Sequence, residues 1–278
     1  MLNAKRVVIT GGSRGLGKVF ARHLLTQQYR VVLTGRDPGA LDLACSELGS
    51  VFGTENVSIC AFDVTDPKAV SEAFKEIGPV DVLINNAGVL GPVDYFHHIQ
   101  PDDWLSALDI HVRGAVYCTH AVLPHMLARG EGIVINLASH AGAFRWPYCS
   151  SYSVAKAALI KLTENLAQET RKAGVSHFAW HPGLVNNVGL AADAQQRNAL
   201  TDSPAAFVNR WTAEEERQGR TVTAEQSAAS LSRLVSGELN TLSGRYLTVY
   251  DNFDTLLAGQ EHIVQGDALM LRIQMPKR

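Results

Sequence analysis

The chain has 278 residues, a formal net charge of −2 at pH 7, 46% hydrophobic residues and 19% charged residues. This length supplies enough apolar material for a large α/β domain, and we expect residues 1–278 to form a single domain with a buried core. The charge is balanced and no basic run stands out. We therefore expect neither a nucleic-acid partner nor a membrane partner.

The spacing of the cysteines argues against a zinc site or a redox motif and indicates free thiols in a reducing compartment, with no bound metal. The N-terminal residues lead directly into an apolar run without the features of a signal peptide. No stretch reaches the apolar length of about 20 residues that a membrane span needs. These patterns favour a cytoplasmic location. The cysteines are Cys45, Cys60, Cys118 and Cys149.

Short apolar runs rich in β-branched residues alternate with longer segments of helical period. The runs do not alternate apolar with polar residues, which is typical of parallel strands buried on both faces. Strand and helix in this repeated order predict right-handed βαβ units. We therefore predict a doubly wound, Rossmann-type α/β three-layer sandwich with a seven-stranded parallel sheet. The predicted strands are Arg6–Thr10, Val31–Thr34, Val57–Phe62, Val80–Asn85, Gly132–Ala138, Val175–His181 and Arg245–Val249.

Helix start signals support the segments between these strands. Asp66 precedes Pro67, which places a capping residue before a proline at the first helical position. Thr223 and Gln226 have the spacing of a capping box. The predicted helices are Gly15–Gln28, Pro38–Gly49, Pro67–Ile77, Pro101–Arg129, Ser151–Ala173 and Thr223–Ser236.

Two segments depart from this regular pattern. Residues 188–222 are polar, rich in alanine and weakly periodic. They form either a surface excursion or a mobile lid over a pocket, and their position after the sixth predicted strand favours the lid. Residues 251–278 extend beyond the last strand and include the apolar run Leu269–Ile273. We expect this extension to pack on its own domain or on a neighbouring subunit.

A glycine-rich turn, Thr10-Gly11-Gly12-Ser13-Arg14-Gly15-Leu16-Gly17, joins the first predicted strand to the first helix. Glycines permit a tight turn and a close approach of the backbone to a pyrophosphate, and the helix N-terminus presents free N–H groups. Because this turn is the first connection of a βαβ unit, it predicts a dinucleotide site. Its spacing is GxxxGxG instead of the GxGxxG of the common fingerprint.

Three motifs occur in order: the glycine turn, Asn85-Asn86-Ala87-Gly88 after the fourth strand, and Tyr152-x-x-x-Lys156 at the start of a later helix. Together they resemble the short-chain dehydrogenase/reductase family, over residues 4 to about 190 and again at Ser243–Tyr246. The resemblance implies an oxidoreductase that moves a hydride between a nicotinamide dinucleotide and a carbonyl or alcohol of a small molecule. It also implies a homodimer or homotetramer formed through the long helices.

The end of the second predicted strand bears on the choice of cofactor. An NAD site usually has a carboxylate there, for the ribose 2′-hydroxyl, whereas this chain has Gly35 followed by Arg36. Arg36 and Arg14 suit a 2′-phosphate and favour NADP(H) over NAD(H). Asp37 either neutralises Arg36 or caps the next helix. The residues predicted to bind the cofactor, several of them by resemblance alone, are Gly11, Ser13, Arg14, Gly15, Leu16, Gly17, Arg36, Asp63, Val64, Asn85, Ala87, Gly88, Tyr152, Lys156, Pro182, Gly183 and Val185.

Tyr152 and Lys156 are four residues apart and therefore share one face of a helix. An ammonium near a phenol stabilises the phenolate, so we expect the pKa of Tyr152 to fall from about 10 toward neutrality. Such a tyrosine donates a proton to a carbonyl or accepts one from an alcohol. The resemblance implies that Ser139, at the end of the fifth strand, binds the substrate oxygen and that Lys156 also binds the nicotinamide ribose.

His111 stands where the family usually has an asparagine that helps to hold a proton-relaying water. Histidine can relay protons itself, with a pKa of about 6.5 that would make turnover pH-sensitive. We favour this interpretation and count His111 as a fourth catalytic residue. The alternatives are an imidazole satisfied by backbone groups, with the relay elsewhere, or a degraded site. Asn187 likewise replaces a threonine that the family commonly has after its Pro-Gly pair.

The loop between Ser139 and Tyr152 should border the substrate pocket, and its aromatic residues suit an apolar or aromatic substrate. Internal packing or a subunit interface are the alternative roles for these side chains. Two other functions stay open: a non-catalytic dinucleotide-binding or sensor protein on the same fold, and an enzyme whose redox product then eliminates or rearranges. The residues predicted to contact substrate are Ser139, His140, Phe144, Trp146, Cys149, Tyr152 and Leu184.

Overall fold

The computed structural model describes residues 4–185, 188–189 and 202–273. Within these residues, parallel strands form one seven-stranded sheet in the order β3-β2-β1-β4-β5-β6-β7, which confirms the predicted doubly wound architecture. The strands are β1 (Arg6–Thr10), β2 (Arg30–Gly35), β3 (Val57–Ala61), β4 (Val82–Asn85), β5 (Gly132–Leu137), β6 (Val175–His181) and β7 (Tyr246–Thr248).

The helices of the described residues are α1 (Gly15–Thr26), α2 (Pro38–Phe52), α3 (Pro67–Ile77), α4 (Pro101–Leu108), α5 (Gly114–Arg129), α6 (His140–Ala143), α7 (Ser150–Thr170), α8 (Pro204–Arg217), α9 (Ala224–Ser236), α10 (Phe253–Ala258) and α11 (Gln260–Gln265). Apolar side chains of α1, α2 and α9 pack on one face of the sheet, and those of α3 and α5 pack on the other. None of these helices combines the length and apolar character that crossing a membrane requires.

Two predicted segments contain local structure that the sequence patterns did not indicate. The helix predicted over residues 101–129 is confirmed, and it contains a π-helical turn, Asp109–Arg113, between α4 and α5. Residues 188–222 include a fourteen-residue helix, α8, which begins after the capping residue Ser203. Two features of the sequence indicate α8: the pair Ser203-Pro204 marks its start, and Val208 and Trp211 are apolar residues at helical spacing within a polar stretch. Residues 190–201 of the predicted lid lie outside the described residues.

A buried chain of polar side chains ties the middle of the sheet to two helices. Asn85 Nδ2 on β4 donates to Asn136 Oδ1 on β5 at 2.8 Å and to Thr119 Oγ1 on α5 at 3.1 Å. Asn136 Nδ2 donates in turn to Thr163 Oγ1 on α7 at 2.9 Å. All four side chains are buried, so their mutual hydrogen bonds offset the loss of water and fix α5 and α7 relative to the sheet.

The C-terminal extension packs on its own chain along the outer edge of β7. The backbone N–H of Tyr246 donates to Leu269 O at 2.8 Å, and that of Leu271 donates to Glu164 Oε1 at 2.6 Å. Arg272 Nη1 donates to the other oxygen of the same buried carboxylate at 2.9 Å. The extension therefore covers hydrogen-bonding groups that an edge strand would otherwise expose.

We expect Asn136→Ala to lower the free energy of unfolding by about 2–4 kcal/mol, because the Asn85 amide and the Thr163 hydroxyl then each lose one buried hydrogen-bond partner. Urea denaturation would show this as a lower midpoint with an unchanged slope. Ser50→Ala is the control, since it removes only an exposed hydrogen bond to Glu47 O, and it should cost less than about 0.5 kcal/mol. Equal midpoints for the two variants would contradict the structural role given to Asn136.

Candidate active site

A cleft of about 1050 Å³ opens at the carboxyl ends of the strands. It lies where β1 and β4 are neighbours, with β2 and β3 following on one side and β5, β6 and β7 on the other. This is the position at which parallel α/β sheets bind ligands. Most of the residues predicted to bind cofactor line it: Gly11, Ser13, Arg14, Gly15, Leu16, Arg36, Asp63, Val64, Ala87, Gly88, Tyr152, Lys156 and Pro182.

Four residues predicted to bind cofactor do not line the cleft: Gly17, Asn85, Gly183 and Val185. Asn85 belongs to the buried polar chain between β4, β5 and α5. Val185 is buried and pairs with Val222 in an isolated bridge. Asn187 lies outside the described residues. The cleft is also lined by residues that were not predicted to bind cofactor, among them Lys18, Arg22, Asn86, Val89 and Leu90.

The glycine turn has the geometry that its spacing predicted. Gly11 and Gly15 adopt positive φ angles of 65° and 56°. A Cβ at Gly17 would lie 2.4 Å from Gly11 O, so only glycine allows α1 to start so close to the turn. Asn86 Nδ2 holds the turn by donating to Thr10 O at 2.8 Å and to Gly11 O at 3.0 Å.

The N-terminus of α1 faces this cleft without a capping side chain. Its N-cap residue, Arg14, makes no side-chain cap, whereas Asp37 and Asp66 cap α2 and α3. Within the described residues, the first N–H groups of α1 thus receive no cap from the Arg14 side chain, and the positive end of the helix dipole lies beside the cleft-lining residues Gly15 and Leu16. The turn and the helix terminus together fit the pyrophosphate of a dinucleotide.

Charged side chains surround the end of the cleft next to β2. Arg14 and Arg36 are both exposed and line it. Arg36 Nη1 is 3.8 Å from Asp63 Oδ2, a distance at which an exposed pair is weak. Asp37 Oδ1 accepts from the N–H of Ala40 at 3.1 Å, which supports the capping role that the sequence left as one of two options.

Tyr152 and Lys156 lie on α7, one turn apart, as their spacing predicted. Lys156 is buried, and its Nζ donates to Leu137 O, at the end of β5, at 2.6 Å. The same Nζ is 5.4 Å from the centre of the Tyr152 ring. Ser139 follows β5 and contacts Tyr152 through a hydrogen bond. Tyr152 and Lys156 therefore line one corner of the cleft, and Ser139, next to the lining residue Ala138, contacts Tyr152 there.

The electrostatics of this corner differ from the expectation. Burial raises the pKa of Tyr152 to about 12, and the hydrogen bond with Ser139 only partly opposes that rise. The prediction of a pKa near neutrality is therefore wrong for the chain without cofactor. Burial likewise lowers the pKa of Lys156 to about 7, because an ammonium is costly to hold away from water. The ammonium that was expected to stabilise the phenolate is thus itself only partly charged at neutral pH.

His111, the fourth predicted catalytic residue, is buried in the π-helical turn and packs edge-on against Tyr152, with ring centres 5.5 Å apart. Its Nε2 lies 2.7 Å from Val89 O, while its Nδ1 has no partner among the described residues. Burial, and then the charge of Lys156, lower the pKa of His111 to about 3. The expected pKa of about 6.5 is therefore wrong. A Cβ on Gly88 would lie 2.2 Å from His111 Cε1, so the glycine makes room for the imidazole.

The predicted substrate residues fall into two groups. Trp146 and Cys149 pack with Tyr152 beside Leu90 and with Val208 of α8. His140 and Phe144 belong instead to a ring cluster with His181, Tyr246 and Tyr250, in which His140 and His181 are 4.3 Å apart. Leu184 is buried. The contacts of α8 with this group were not predicted from sequence, because polar residues obscure the helical period of that segment.

All four cysteines lie in the described part of the chain, and none of them forms a disulfide bond. Among the described residues, no three His, Cys, Asp or Glu side chains are grouped as ligands for a metal ion.

A family model described as short chain dehydrogenase matches residues 5–199. The chain is 31% identical over 244 residues to the uncharacterized oxidoreductase YvrD of Bacillus subtilis (strain 168), which covers 82% of this chain and 92% of that protein. It is 30% identical over 283 residues to the short chain dehydrogenase pigC of Monascus ruber, which covers 98% of this chain and 87% of that protein. Among solved structures, a variant of actinorhodin polyketide ketoreductase with NADPH has a TM-score of 0.78 at 25% identity, covering 90% of this chain and 97% of that chain. The chain therefore belongs to the short-chain dehydrogenase family of oxidoreductases.

Proposed function

We propose that this protein interconverts a carbonyl group and a secondary alcohol on a small apolar or aromatic molecule, with NADP(H) as cofactor. The observation that carries the proposal is the meeting of Tyr152, Ser139 and Lys156 at the corner of a cleft that fits a dinucleotide. A proton donor, a second hydrogen-bond donor and an ammonium then surround the point where a substrate oxygen would change its charge.

A bound nicotinamide dinucleotide supplies the hydride in reduction and accepts it in oxidation. Side chains of this protein donate or accept the accompanying proton. Because the pKa of Tyr152 is about 12, its hydroxyl carries a proton at physiological pH and acts as the acid in carbonyl reduction. Ser139 donates a hydrogen bond to the same substrate oxygen, and Lys156 stabilises the tyrosinate that the proton transfer leaves.

The preference for NADP(H) is supported by the charges at the end of β2. Gly35 leaves no carboxylate at the position that would bind a ribose 2′-hydroxyl and repel a phosphate. Asp37 is engaged as the cap of α2, and Asp63 contacts Arg36 only at long range. Arg14 and Arg36 are thus available to a 2′-phosphate. The similar ketoreductase was solved with NADPH.

We further propose that His111 is a positioning residue in this site. Its neutral imidazole bonds to the Val89 backbone, fits beneath Gly88 and packs against Tyr152. These contacts link the segment after β4, which lines the cleft, to the catalytic tyrosine. A pKa of about 3 argues against a relay that takes up a proton on the imidazole near neutral pH.

The function is tested by Tyr152→Phe, which removes only the phenolic hydroxyl. We expect NADPH consumption with a panel of ketones and aldehydes to fall by about 100-fold to 10 000-fold, since a proton donor of this type contributes that much. The affinity for NADPH, from fluorescence titration, should fall far less than the rate, because the other residues predicted to bind the cofactor are unchanged. Tyr29→Phe, far from the cleft, is the matched control. Retention of most of the activity in Tyr152→Phe would contradict the proposed role of Tyr152 as the proton donor.

For cofactor choice, we expect Arg14→Ala and Arg36→Ala each to raise the dissociation constant of NADPH about tenfold, because each removes a charge-assisted bond to the 2′-phosphate. The dissociation constant of NADH should change less than about twofold, since NADH has no such group. Arg30→Ala, at the opposite end of β2, is the control. Parallel losses for both cofactors would contradict the assignment of the two arginines.

For His111, we expect His111→Asn to lower the maximal rate while the shape of its pH profile above about pH 5 stays unchanged. The pKa of the imidazole is lowered to about 3, so the group is neutral across that range and neither gains nor loses a proton there. His120→Asn, an exposed change on α5, is the control. A limb at about pH 6.5 that is present in the parent and missing in His111→Asn would restore the relay interpretation.

A further inference from the structure

Helix α8 presents two aromatic side chains to the loop that precedes the catalytic tyrosine. Phe207 and Trp211 are four residues apart and therefore project from one face of the helix. Phe207 contacts the ring of Tyr148 with centres 5.4 Å apart, and Trp211 contacts the ring of Trp146 at 5.5 Å. Val208, between them in sequence, is fully buried. The contact thus consists of two ring pairs beside a buried valine, and Phe207 itself is 37% exposed.

The loop held by this face has an unfavourable backbone conformation. Tyr148 has a φ angle of +67°, in the left-handed region that side chains of this size rarely adopt. Such a conformation persists only when surrounding contacts impose it. At Tyr148 those contacts are the ring of Phe207, the ring of Tyr95 at 5.3 Å, and a hydrogen bond from the Asp94 N–H to Tyr148 O at 3.1 Å.

The same loop contacts the catalytic tyrosine directly. Trp146 touches Trp211 on one side and Tyr152 on the other, with ring centres 5.9 Å apart and planes inclined by 66°. Tyr152 is in turn held by His111 at 5.5 Å and by the ammonium of Lys156. Trp146 therefore joins Tyr152 to an aromatic side chain of α8, beside the apolar cluster that Val208 and Cys149 also form with Tyr152.

We propose that α8 positions the catalytic tyrosine: Trp211 acts on Tyr152 through the ring of Trp146, and Phe207 fixes the strained turn at Tyr148 that sets the place of Trp146. This inference rests on the proposed function, in which Tyr152 is the proton donor. Trp211 and Phe207 are positioning residues, and they act on the rate of the chemical step more than on cofactor binding, because neither side chain lines the cleft that fits the dinucleotide.

The proposal predicts that loss of the indole and its replacement by another ring have different effects. Trp211→Ala removes the support of Trp146 and should lower kcat by about tenfold to 100-fold, since small misplacements of a reacting group have effects of that size. Trp211→Phe keeps a ring against Trp146 and should retain kcat within about threefold. The dissociation constant of NADPH should stay within about twofold in both variants.

The experiment measures kcat, KM and NADPH affinity for the parent, Trp211→Ala, Trp211→Phe and the control Glu216→Ala, which changes an exposed side chain on α8. Thermal unfolding shows whether each variant is folded at the assay temperature. A low kcat in Trp211→Ala with rescue in Trp211→Phe supports the coupling. A kcat equal to that of the parent with only a raised KM in Trp211→Ala would overturn it, because α8 would then affect substrate binding without positioning Tyr152.

A spectroscopic readout keeps this test separate from the proposed function. The Trp146–Trp211 ring pair should give a near-ultraviolet circular dichroism signal that Trp146→Phe and Trp211→Phe remove to the same extent. Persistence of that signal in either variant would overturn the contact itself. A parent protein that shows the signal but oxidises NADPH with no carbonyl compound would overturn the proposed function, and with it the catalytic meaning of the contact.

Discussion

The hydrogen bond from Lys156 Nζ to Leu137 O fixes the arrangement on which the rest of the site depends. It joins α7 to the end of β5 and keeps an amine buried next to the cleft. The exclusion of water that lowers the pKa of Lys156 also raises that of Tyr152. Burial therefore favours the uncharged form of both side chains.

The other end of the cleft presents backbone N–H groups and the positive end of a helix dipole, which suit an anion. The glycines at positions 11, 15 and 17 allow the chain to turn tightly from β1 into α1, and the helix begins without a capping side chain. Neighbouring helices in the same layered fold begin with an aspartate cap, so the open N-terminus of α1 is a local property of this turn. Arg14 and Arg36 extend the positive potential along the cleft toward the end of β2.

The sheet and the motifs could be predicted from sequence because they depend on local patterns. Buried parallel strands leave uninterrupted apolar runs, and a turn that needs positive φ angles leaves glycines. Asn85 shows the limit of such patterns: its motif marks the cleft, yet its own side chain points into the polar chain with Asn136. The π-helical turn around His111 and the contacts of α8 arise from packing between distant segments. The pKa directions of Tyr152 and His111 could not be predicted for the same reason, because burial is a tertiary property.

The central claim is that Tyr152 carries a proton at physiological pH and donates it to the substrate. An NMR titration of isotope-labelled tyrosine Cζ in the cofactor-free protein measures this directly, with Tyr152→Phe to assign the resonance. The account predicts that the Tyr152 signal stays that of a neutral phenol beyond pH of about 10, the ordinary tyrosine pKa, because burial raises its own to about 12. A resonance that titrates near neutral pH would contradict it, since the tyrosine would then enter the reaction as a phenolate.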